Sequence, residues 1–163
     1  AVASAPMEII AKRWDELTRD EFFEIARLRC EVFYVEQRVT VQDFDDVDRH
    51  PRTEHWFTTD DRGAATYLRV YALDTPEHGA TAGFGRVAVR GDRRGEGLAK
   101  QLVGPVVERW GNQRMVLHSQ DYITGLYEPF EFRSVGEPYE EAGIAHRIMV
   151  REPGPLVAPS RFA

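Results

Sequence analysis

The sequence predicts a single α+β domain, because its strand-like segments are grouped around two amphipathic helices and do not alternate with helices one by one. The chain has 163 residues, which suits one domain with a substantial core. A capping signal marks the first helix, and a glycine-containing loop marks the start of the second. We expect residues 1–152 to form the domain, with residues 1–6 as a disordered tail or expression remnant, and residues 153–163 to form a loose C-terminal tail.

The composition is that of a soluble globular protein, with 42% hydrophobic and 29% charged residues. No apolar run approaches the ~18 residues of a membrane helix, and the start lacks the features of a signal peptide. The net charge of −6 disfavours a general nucleic-acid binder, and the single cysteine, Cys30, excludes an internal disulfide. We therefore expect a cytoplasmic protein without nucleic-acid or membrane partners. Its arginine-rich, lysine-poor composition is typical of a GC-rich bacterial genome, and a homodimer is left open.

The first helix should begin at Thr18-Arg-Asp-Glu21, which has capping-box spacing, and should run to about Glu36. Its apolar residues recur at helical spacing. The acidic residues 42–51 that follow it are predicted to form a loop.

The later elements are predicted from alternation, turn residues and apolar runs. Pro105 should kink the second helix or open one of its backbone bonds, and Gly111 should close it. The remaining predictions are strands over 55–59, 65–73 and 81–90, a turn over 74–80, a helix to about Trp110, a strand over 115–119, a short helix over 123–130, and a hairpin of 134–137 with 146–151.

The most informative stretch is Arg90-Gly-Asp-Arg-Arg-Gly-Glu-Gly-Leu-Ala99, which lies between a predicted strand and a predicted helix. Gly95 and Gly97 allow positive φ and close approach of a ligand to the backbone. Unpaired amides at the helix start favour an anion, and Arg93 and Arg94 can add charge-assisted bonds to phosphate. The glycine spacing differs from that of a P-loop or a dinucleotide fingerprint.

Arg94-Gly-Glu-Gly-Leu-Ala99 resembles motif A of the GCN5-related N-acetyltransferase (GNAT) superfamily. Two further segments resemble its ElaA-like subgroup: Leu28-Arg-x-Glu-Val-Phe33 with the polar and acidic residues after it, and Glu137-x-Tyr-x-Glu-x-Gly-Ile-x-His146. The resemblance covers roughly residues 25 to 150 in the family's order. It implies a GNAT fold, in which a central mixed, mostly antiparallel twisted sheet is flanked by helices and splayed central strands hold acetyl-CoA.

The resemblance also implies an activity: transfer of acetyl from acetyl-CoA to a primary amine of a small molecule or peptide, by direct attack in a ternary complex. Acetyl-CoA would be the cosubstrate. No metal is expected, because the histidines lack ligand spacing. The residues implied to bind coenzyme A are Val87, Ala88, Val89, Arg93, Arg94, Gly95, Glu96, Gly97, Leu98 and Ala99.

The chemistry requires a base for the ammonium proton, a group that polarises the carbonyl, and an acid for the leaving thiolate. Tyr127 matches the family tyrosine and is the predicted acid. The base is left open among His146, His55, Glu36 acting through water, and water chains alone, with His118 as a further histidine at a strand end. Backbone amides near Val87 are candidates for polarising the carbonyl.

Gln42, Asp43 and Asp45 are the predicted substrate-binding residues, since they fit the subgroup's pattern after the first helix. With Asp46 and Asp48, the aspartates form an acidic cluster that would attract a cationic amine. The alternative interpretation is a solvated loop without a role in binding.

One departure from the family pattern leaves other functions open. Glu131 stands where a glycine is expected after Tyr127, so it should take an unfavourable backbone conformation unless the turn differs. Such a change would suit a non-catalytic acyl-CoA-binding sensor.

A third alternative is an acyl-homoserine-lactone synthase-like enzyme, which Arg29-x-x-Val-Phe33 and the acidic segment also resemble.

Overall fold

The computed structural model describes residues 7–157, and its regular elements form one seven-stranded sheet with two α-helices. The elements are β1 (Ile9–Arg13), α1 (Arg19–Arg29), β2 (Glu54–Asp60), β3 (Gly63–Glu77), β4 (Ala80–Val89), α2 (Leu98–Trp110), β5 (Met115–Gln120), β6 (Arg133–Glu141) and β7 (Ile144–Arg151). A π-helical segment, Cys30–Glu36, continues α1, and short 3₁₀ turns cover Trp14–Glu16, Gly91–Arg93, Asp121–Leu126 and Glu128–Phe130.

The sheet order is β1-β2-β3-β4-β5-β7-β6, and every neighbouring pair is antiparallel except β4 with β5. That parallel pair is joined only at Ala82 with Met115 and Gly83 with Val116. Beyond these positions the two strands separate, which opens the middle of the sheet. The predicted mixed, mostly antiparallel sheet with splayed central strands is therefore confirmed.

Each face of the sheet is covered by one α-helix. Trp56 and Leu68 pack in the cluster that contains Leu102 of α2, whereas their chain neighbours Phe57 and Tyr67 pack in the cluster that contains Ile25 of α1. Because successive strand residues point to opposite faces, α1 and α2 lie on opposite sides.

Local sequence signals explain how α1 begins. The Thr18 hydroxyl accepts a bond from the Glu21 amide at 3.1 Å, and the Thr18 amide donates to Glu21 Oε1 at 2.9 Å, as the capping box predicts. The helix extends to Glu36 as predicted, but its last seven residues are π-helical. There the Gln37 amide donates to the Val32 carbonyl at 3.1 Å, which is an i to i+5 bond.

Several boundaries differ from the sequence predictions. β1 was not predicted, and β3 runs through the predicted 74–80 turn to Glu77, so that the actual turn is at His78 and Gly79, both with positive φ. The predicted helix over 123–130 is two 3₁₀ turns, and the last hairpin is longer than predicted. α2 continues through Pro105 to Trp110.

The first described residues of the predicted C-terminal tail contact the domain. The Gly154 amide donates to the Gly111 carbonyl at 2.8 Å, and Leu156 packs against the α2-side core. Residues 1–6 and the last six residues of the predicted tail lie outside the described residues. Between residues 7 and 157, no helix is long and apolar enough to cross a membrane.

Candidate active site

A cleft of about 1160 Å³ opens where β4 and β5 separate. Its walls come from the π-helical segment, the loop over 39–44, the second half of β4, the start of α2, and the chain after β5. Most small-molecule sites have volumes of about 300–1,000 Å³, so the cleft has room for an extended ligand and a second small molecule.

A β-bulge in β4 shapes the cleft at the point of splay. Tyr67 pairs with Ala88 and Arg69 with Gly85, so the two residues Arg86 and Val87 lie opposite one residue of β3. Arg86 takes a φ of 55°. A bulge interrupts the ladder and leaves backbone groups without strand partners, and Val87 lines the cleft there.

The glycine loop enters α2 in the conformation that an anion site needs. Gly95 has a φ of 84° and Gly97, the N-cap of α2, a φ of 76°. No described atom lies within 4 Å of where a Cβ would stand at either glycine. The first amides of α2, those of Leu98 and Ala99, have no acceptor within the helix. A ligand phosphate can therefore approach the helix start without meeting a side chain.

The two arginines of the loop are already paired. Arg93 donates to Glu96 at 2.8 Å and to Asp60 at 2.7 Å. Arg94 forms an ion pair with Glu36 at 2.6 Å across the cleft. Both arginines line the cleft. A bound phosphate would therefore share Arg93 and Arg94 with these carboxylates, because neither arginine is free of an ion pair.

Most of the predicted coenzyme-binding residues meet in this cleft. Ala88 and Glu96 do not line it: Ala88 is buried in the α1-side core, and Glu96 pairs with Arg93. Those that line it are Val87, Val89, Arg93, Arg94, Gly95, Gly97, Leu98 and Ala99.

Tyr127 lines the same cleft from the 3₁₀ turns after β5. Its ring is 3% exposed and packs against Phe84 and Phe132, with ring centroids 5.8 and 6.5 Å away. Burial raises the pKa of the Tyr127 hydroxyl. The hydroxyl therefore keeps its proton at neutral pH. Within residues 7–157 it has no hydrogen-bonding partner.

His146 is the histidine whose geometry best suits a base. It lines the cleft, it is 8% exposed, and its Nδ1 lies 2.7 Å from the Ile144 carbonyl oxygen. Since a carbonyl oxygen only accepts, Nδ1 carries the hydrogen in the neutral ring, and Nε2 carries the lone pair. Nε2 lies 3.4 Å from Glu141 Oε2, which would stabilise the ring once it is protonated.

The other candidate bases are placed less favourably. His55 is 1% exposed, does not line the cleft, and has both ring nitrogens engaged, at 2.7 Å from the Tyr67 hydroxyl and from the Asp48 carbonyl. Burial lowers the pKa of His55. Glu36 lines the cleft but pairs with Arg94. The two ring nitrogens of His118, which also lines the cleft, contact Glu77 and Tyr139.

The acidic segment is neither a free acidic rim nor a solvated loop. Fully buried Arg29 donates to Asp48 at 2.6 Å and to Asp43 at 2.9 Å. Arg69 donates to Asp45 at 2.7 Å, and Arg86 pairs with Asp43 at 2.8 Å. These contacts were not predicted.

This network changes the interpretation of the predicted substrate residues. Asp45 does not line the cleft, and the carboxylate of Asp43 is used by Arg29 and Arg86. Gln42 lines the cleft, and its amide donates to the Phe44 carbonyl at 2.6 Å. The segment is therefore anchored to the sheet by ion pairs, so the carboxylates of Asp43 and Asp45 are not free charges. Substrate binding by Gln42, Asp43 and Asp45 stays a prediction. The sequence did contain one sign of these ion pairs: Arg69 and Arg86 lie within predicted strands, where a buried arginine needs a charged partner.

Asp48 and Asp46 give a matched test of this anchoring. Burial alone would raise the pKa of Asp48, but bonds and charge from Arg29 outweigh it and lower the pKa. Asp48→Asn should reduce the free energy of unfolding by about 3 kcal/mol, because a buried arginine loses a charged partner. Asp46→Asn should change it by less than ~0.5 kcal/mol, because that side chain is 92% exposed.

Denaturant unfolding at several pH values measures both effects. A depressed carboxyl pKa stabilises the folded state above the unfolded-state value of ~3.9 and stops doing so as the pH falls through the folded value. The difference between wild type and Asp48→Asn should therefore shrink as the pH falls below ~4. Equal stabilities of the two variants at neutral pH would contradict the anchoring.

Glu131 does take the unfavourable conformation that the sequence predicts, with a φ of 72° and a ψ of 20°. Its carboxylate accepts a bond from Arg151 Nη2 at 2.8 Å. Arg151 is buried and also donates to the carbonyls of Phe130 and Gly111. The ion pair offsets the strain, which costs of order 1–3 kcal/mol, and the turn that carries Tyr127 is held in place.

Comparison with known proteins gives one family. A family model described as an acetyltransferase (GNAT) domain matches residues 24–153. Protein ElaA of Escherichia coli is 32% identical over 141 residues, which cover 84% of this chain and 91% of that protein. UPF0039 protein C11D3.02c of the yeast Schizosaccharomyces pombe is 31% identical over 145 residues, 86% of this chain and 93% of that protein. Relatives therefore occur in bacteria and in a yeast.

Solved structures give the same picture. The crystal structure of Escherichia coli ElaA has a TM-score of 0.82 at 30% identity and covers 90% of this chain and 100% of its own. An acyl-CoA N-acyltransferase from Pseudomonas aeruginosa has a TM-score of 0.79 at 31% identity, with 90% and 99% coverage. The acyl-homoserine lactone synthase BjaI has a TM-score of 0.73 at 16% identity, with 96% and 99% coverage, and shares the fold alone.

Proposed function

Because the chain belongs to the acetyltransferase (GNAT) domain family, we propose that it transfers an acetyl group from acetyl-CoA to a primary amine of a small molecule or peptide. Its family and its likeness to an acyl-CoA N-acyltransferase identify an acyl-CoA-dependent acyltransferase. The acetyl group, the amine and direct attack in a ternary complex are the finer proposal. One observation carries it: the glycine loop, the splay of β4 from β5 and Tyr127 all open onto one cleft.

The glycine loop would bind the pyrophosphate of coenzyme A. The amides at the start of α2 and the helix dipole favour an anion there, with Arg93 and Arg94 beside it. Between the loop and the splay, the cleft is lined by Val87 and Val89 of β4, whose backbone groups would bond the pantetheine arm. The thioester would then lie near the bulge, where the Val87 amide would polarise its carbonyl.

The reaction needs a neutral amine, and His146 is our proposed base. As the amine nitrogen forms a bond to the carbonyl carbon, its proton would pass to Nε2 of His146, directly or through one water. Glu141 would stabilise the resulting imidazolium. The carbon–sulfur bond then breaks, and Tyr127 would donate a proton to the leaving thiolate.

Further parts of the proposal follow from the sequence. We propose a cytoplasmic location. We also propose that the protein has no nucleic-acid partner, which the net charge of −6 supports. A homodimer stays a prediction. Two alternatives to the proposal are kept as outcomes of its test: an acyl-homoserine-lactone synthase-like reaction and a non-catalytic acyl-CoA sensor.

The test is an assay of purified protein with acetyl-CoA and a panel of primary amines. We expect free thiol and N-acetylated amine in equal amounts. His146→Gln should form product at least ~10-fold more slowly with unchanged coenzyme A affinity. Lactone formation from an acyl-CoA and S-adenosylmethionine would support the synthase alternative. Coenzyme A binding without turnover of any amine would support the sensor and contradict the proposal.

A further inference from the structure

Two of the three carboxylates that line the cleft within the described residues are paired with arginines. Among the described residues that line it, Asp43 is paired with Arg29 and Arg86, and Glu141 lies beside His146. The next carboxylate along the cleft, that of Glu36, is paired with Arg94. Of these three carboxylates, only that of Glu141, beside the proposed base, lacks an arginine partner. A second ammonium or guanidinium group that lies away from the base would therefore meet carboxylates that are already paired.

Three exposed apolar side chains line the same cleft. Tyr34 is 60% exposed, Val41 61% and Tyr122 75%, and all three line it. They come from three different segments: the π-helix, the loop after it, and the 3₁₀ turn after β5. Large apolar side chains that converge from separate segments on one cleft mark a binding surface better than scattered ones do.

The backbone beneath Tyr34 is itself unusual. The seven-residue π-helical segment is held by buried Val32, whose carbonyl accepts the i to i+5 bond from Gln37. π-helical turns are rare and are frequently found at functional sites. Here the segment contributes Phe33, Tyr34 and Glu36 to the cleft wall.

We propose that the acceptor is a primary amine whose remainder is uncharged and apolar or aromatic, and that Tyr34, Val41 and Tyr122 contact this remainder. The inference rests on the proposed acetyl transfer and names its substrate class. It replaces the cationic preference that the acidic sequence suggested. Aromatic side chains bind apolar groups with little loss of conformational entropy.

Three six-carbon amines of matched length test the proposal at saturating acetyl-CoA. Hexylamine ends in a methyl group, hexamethylenediamine in a second ammonium and aminocaproate in a carboxylate, and phenethylamine adds an aromatic case. We expect kcat/KM for hexylamine and phenethylamine to exceed that for either charged amine at least ~10-fold, about 1.4 kcal/mol. The order should be the same at ~0.05 M and ~0.5 M salt, since paired charges exert little long-range attraction.

Variants connect the preference to the named surface. Tyr122→Ser and Val41→Ser should each raise KM for hexylamine several-fold and leave coenzyme A affinity unchanged. Phe23→Ser is the matched control, because Phe23 is 59% exposed on α1 and does not line the cleft. It should leave KM unchanged.

The outcomes separate this inference from the proposed function. A preference for hexamethylenediamine, or equal rates with all amines, would overturn the inference while acetyl transfer stands. An unchanged KM in both cleft variants would show that Val41 and Tyr122 do not contact the acceptor. Coenzyme A binding with no thiol release from any amine would contradict the proposed function, and the inference with it.

Discussion

Replacing Tyr127 with phenylalanine should lower kcat for acetyl transfer at least ~10²-fold and leave coenzyme A affinity nearly unchanged. The substitution removes one oxygen from a ring that packs against Phe84 and Phe132. Because the hydroxyl bonds to nothing within residues 7–157, its loss should cost little stability. A fall in kcat would then report on proton donation to the thiolate.

The pH dependence sharpens this test. Burial raises the pKa of Tyr127 above its ordinary value of ~10, so the protonated, donating form persists through the neutral and mildly alkaline range. Wild-type kcat should therefore show no decline from tyrosine ionisation up to pH ~10. The variant should follow the same profile at a lower level.

Tyr67→Phe provides the contrasting control. Tyr67 is also fully buried, but its hydroxyl contacts His55 at 2.7 Å and Arg29 at 3.3 Å, and it does not line the cleft. This variant should lose stability, by about 1 kcal/mol, and keep its kcat at a temperature where it is folded. If Tyr127→Phe kept wild-type kcat, the acid role would pass to water.

The features that the sequence predicted well are those set by neighbouring residues. The capping box at Thr18 needs only Glu21, three residues away. The glycine loop needs only positive φ at Gly95 and Gly97 and the helix that follows. Glu131 was expected to be strained because it stands where the resembled family has a glycine, and it does lie in the left-handed region. Each of these depends on interactions within a few positions along the chain.

The features that were missed depend on residues far apart in sequence. β1 is a five-residue strand that pairs with β2 from Ile9 with Thr58 to Arg13 with Glu54, more than forty positions away in sequence, and a short segment with Lys12 and Arg13 has no strong strand pattern. The charge of the acidic segment was visible, but its compensation by Arg29, Arg69 and Arg86 was not. The periodicity of apolar residues along the sequence does not show which arginines will pair with which loop carboxylates. The choice among the histidines likewise depended on tertiary contacts.

Gly97→Val should weaken coenzyme A binding at least ~10²-fold. Gly97 has a φ of 76°, which β-branched residues rarely adopt, and its position carries no Cβ where a phosphate would approach. Valine would both distort the start of α2 and occupy that approach. Losing two charge-assisted amide bonds of about 1.5 kcal/mol each accounts for about 3 kcal/mol, or ~10²-fold.

The control is a glycine with the same backbone strain in another place. Gly136 in β6 has a φ of 71°, has no described atom within 4 Å of a Cβ position, and does not line the cleft. Gly136→Val should therefore cost a similar amount of stability without changing coenzyme A affinity. Calorimetric titration of coenzyme A into both folded variants makes the comparison. Unchanged affinity in Gly97→Val would place the pyrophosphate elsewhere. An equal loss in Gly136→Val would show that general destabilisation, and not the loop, governs binding.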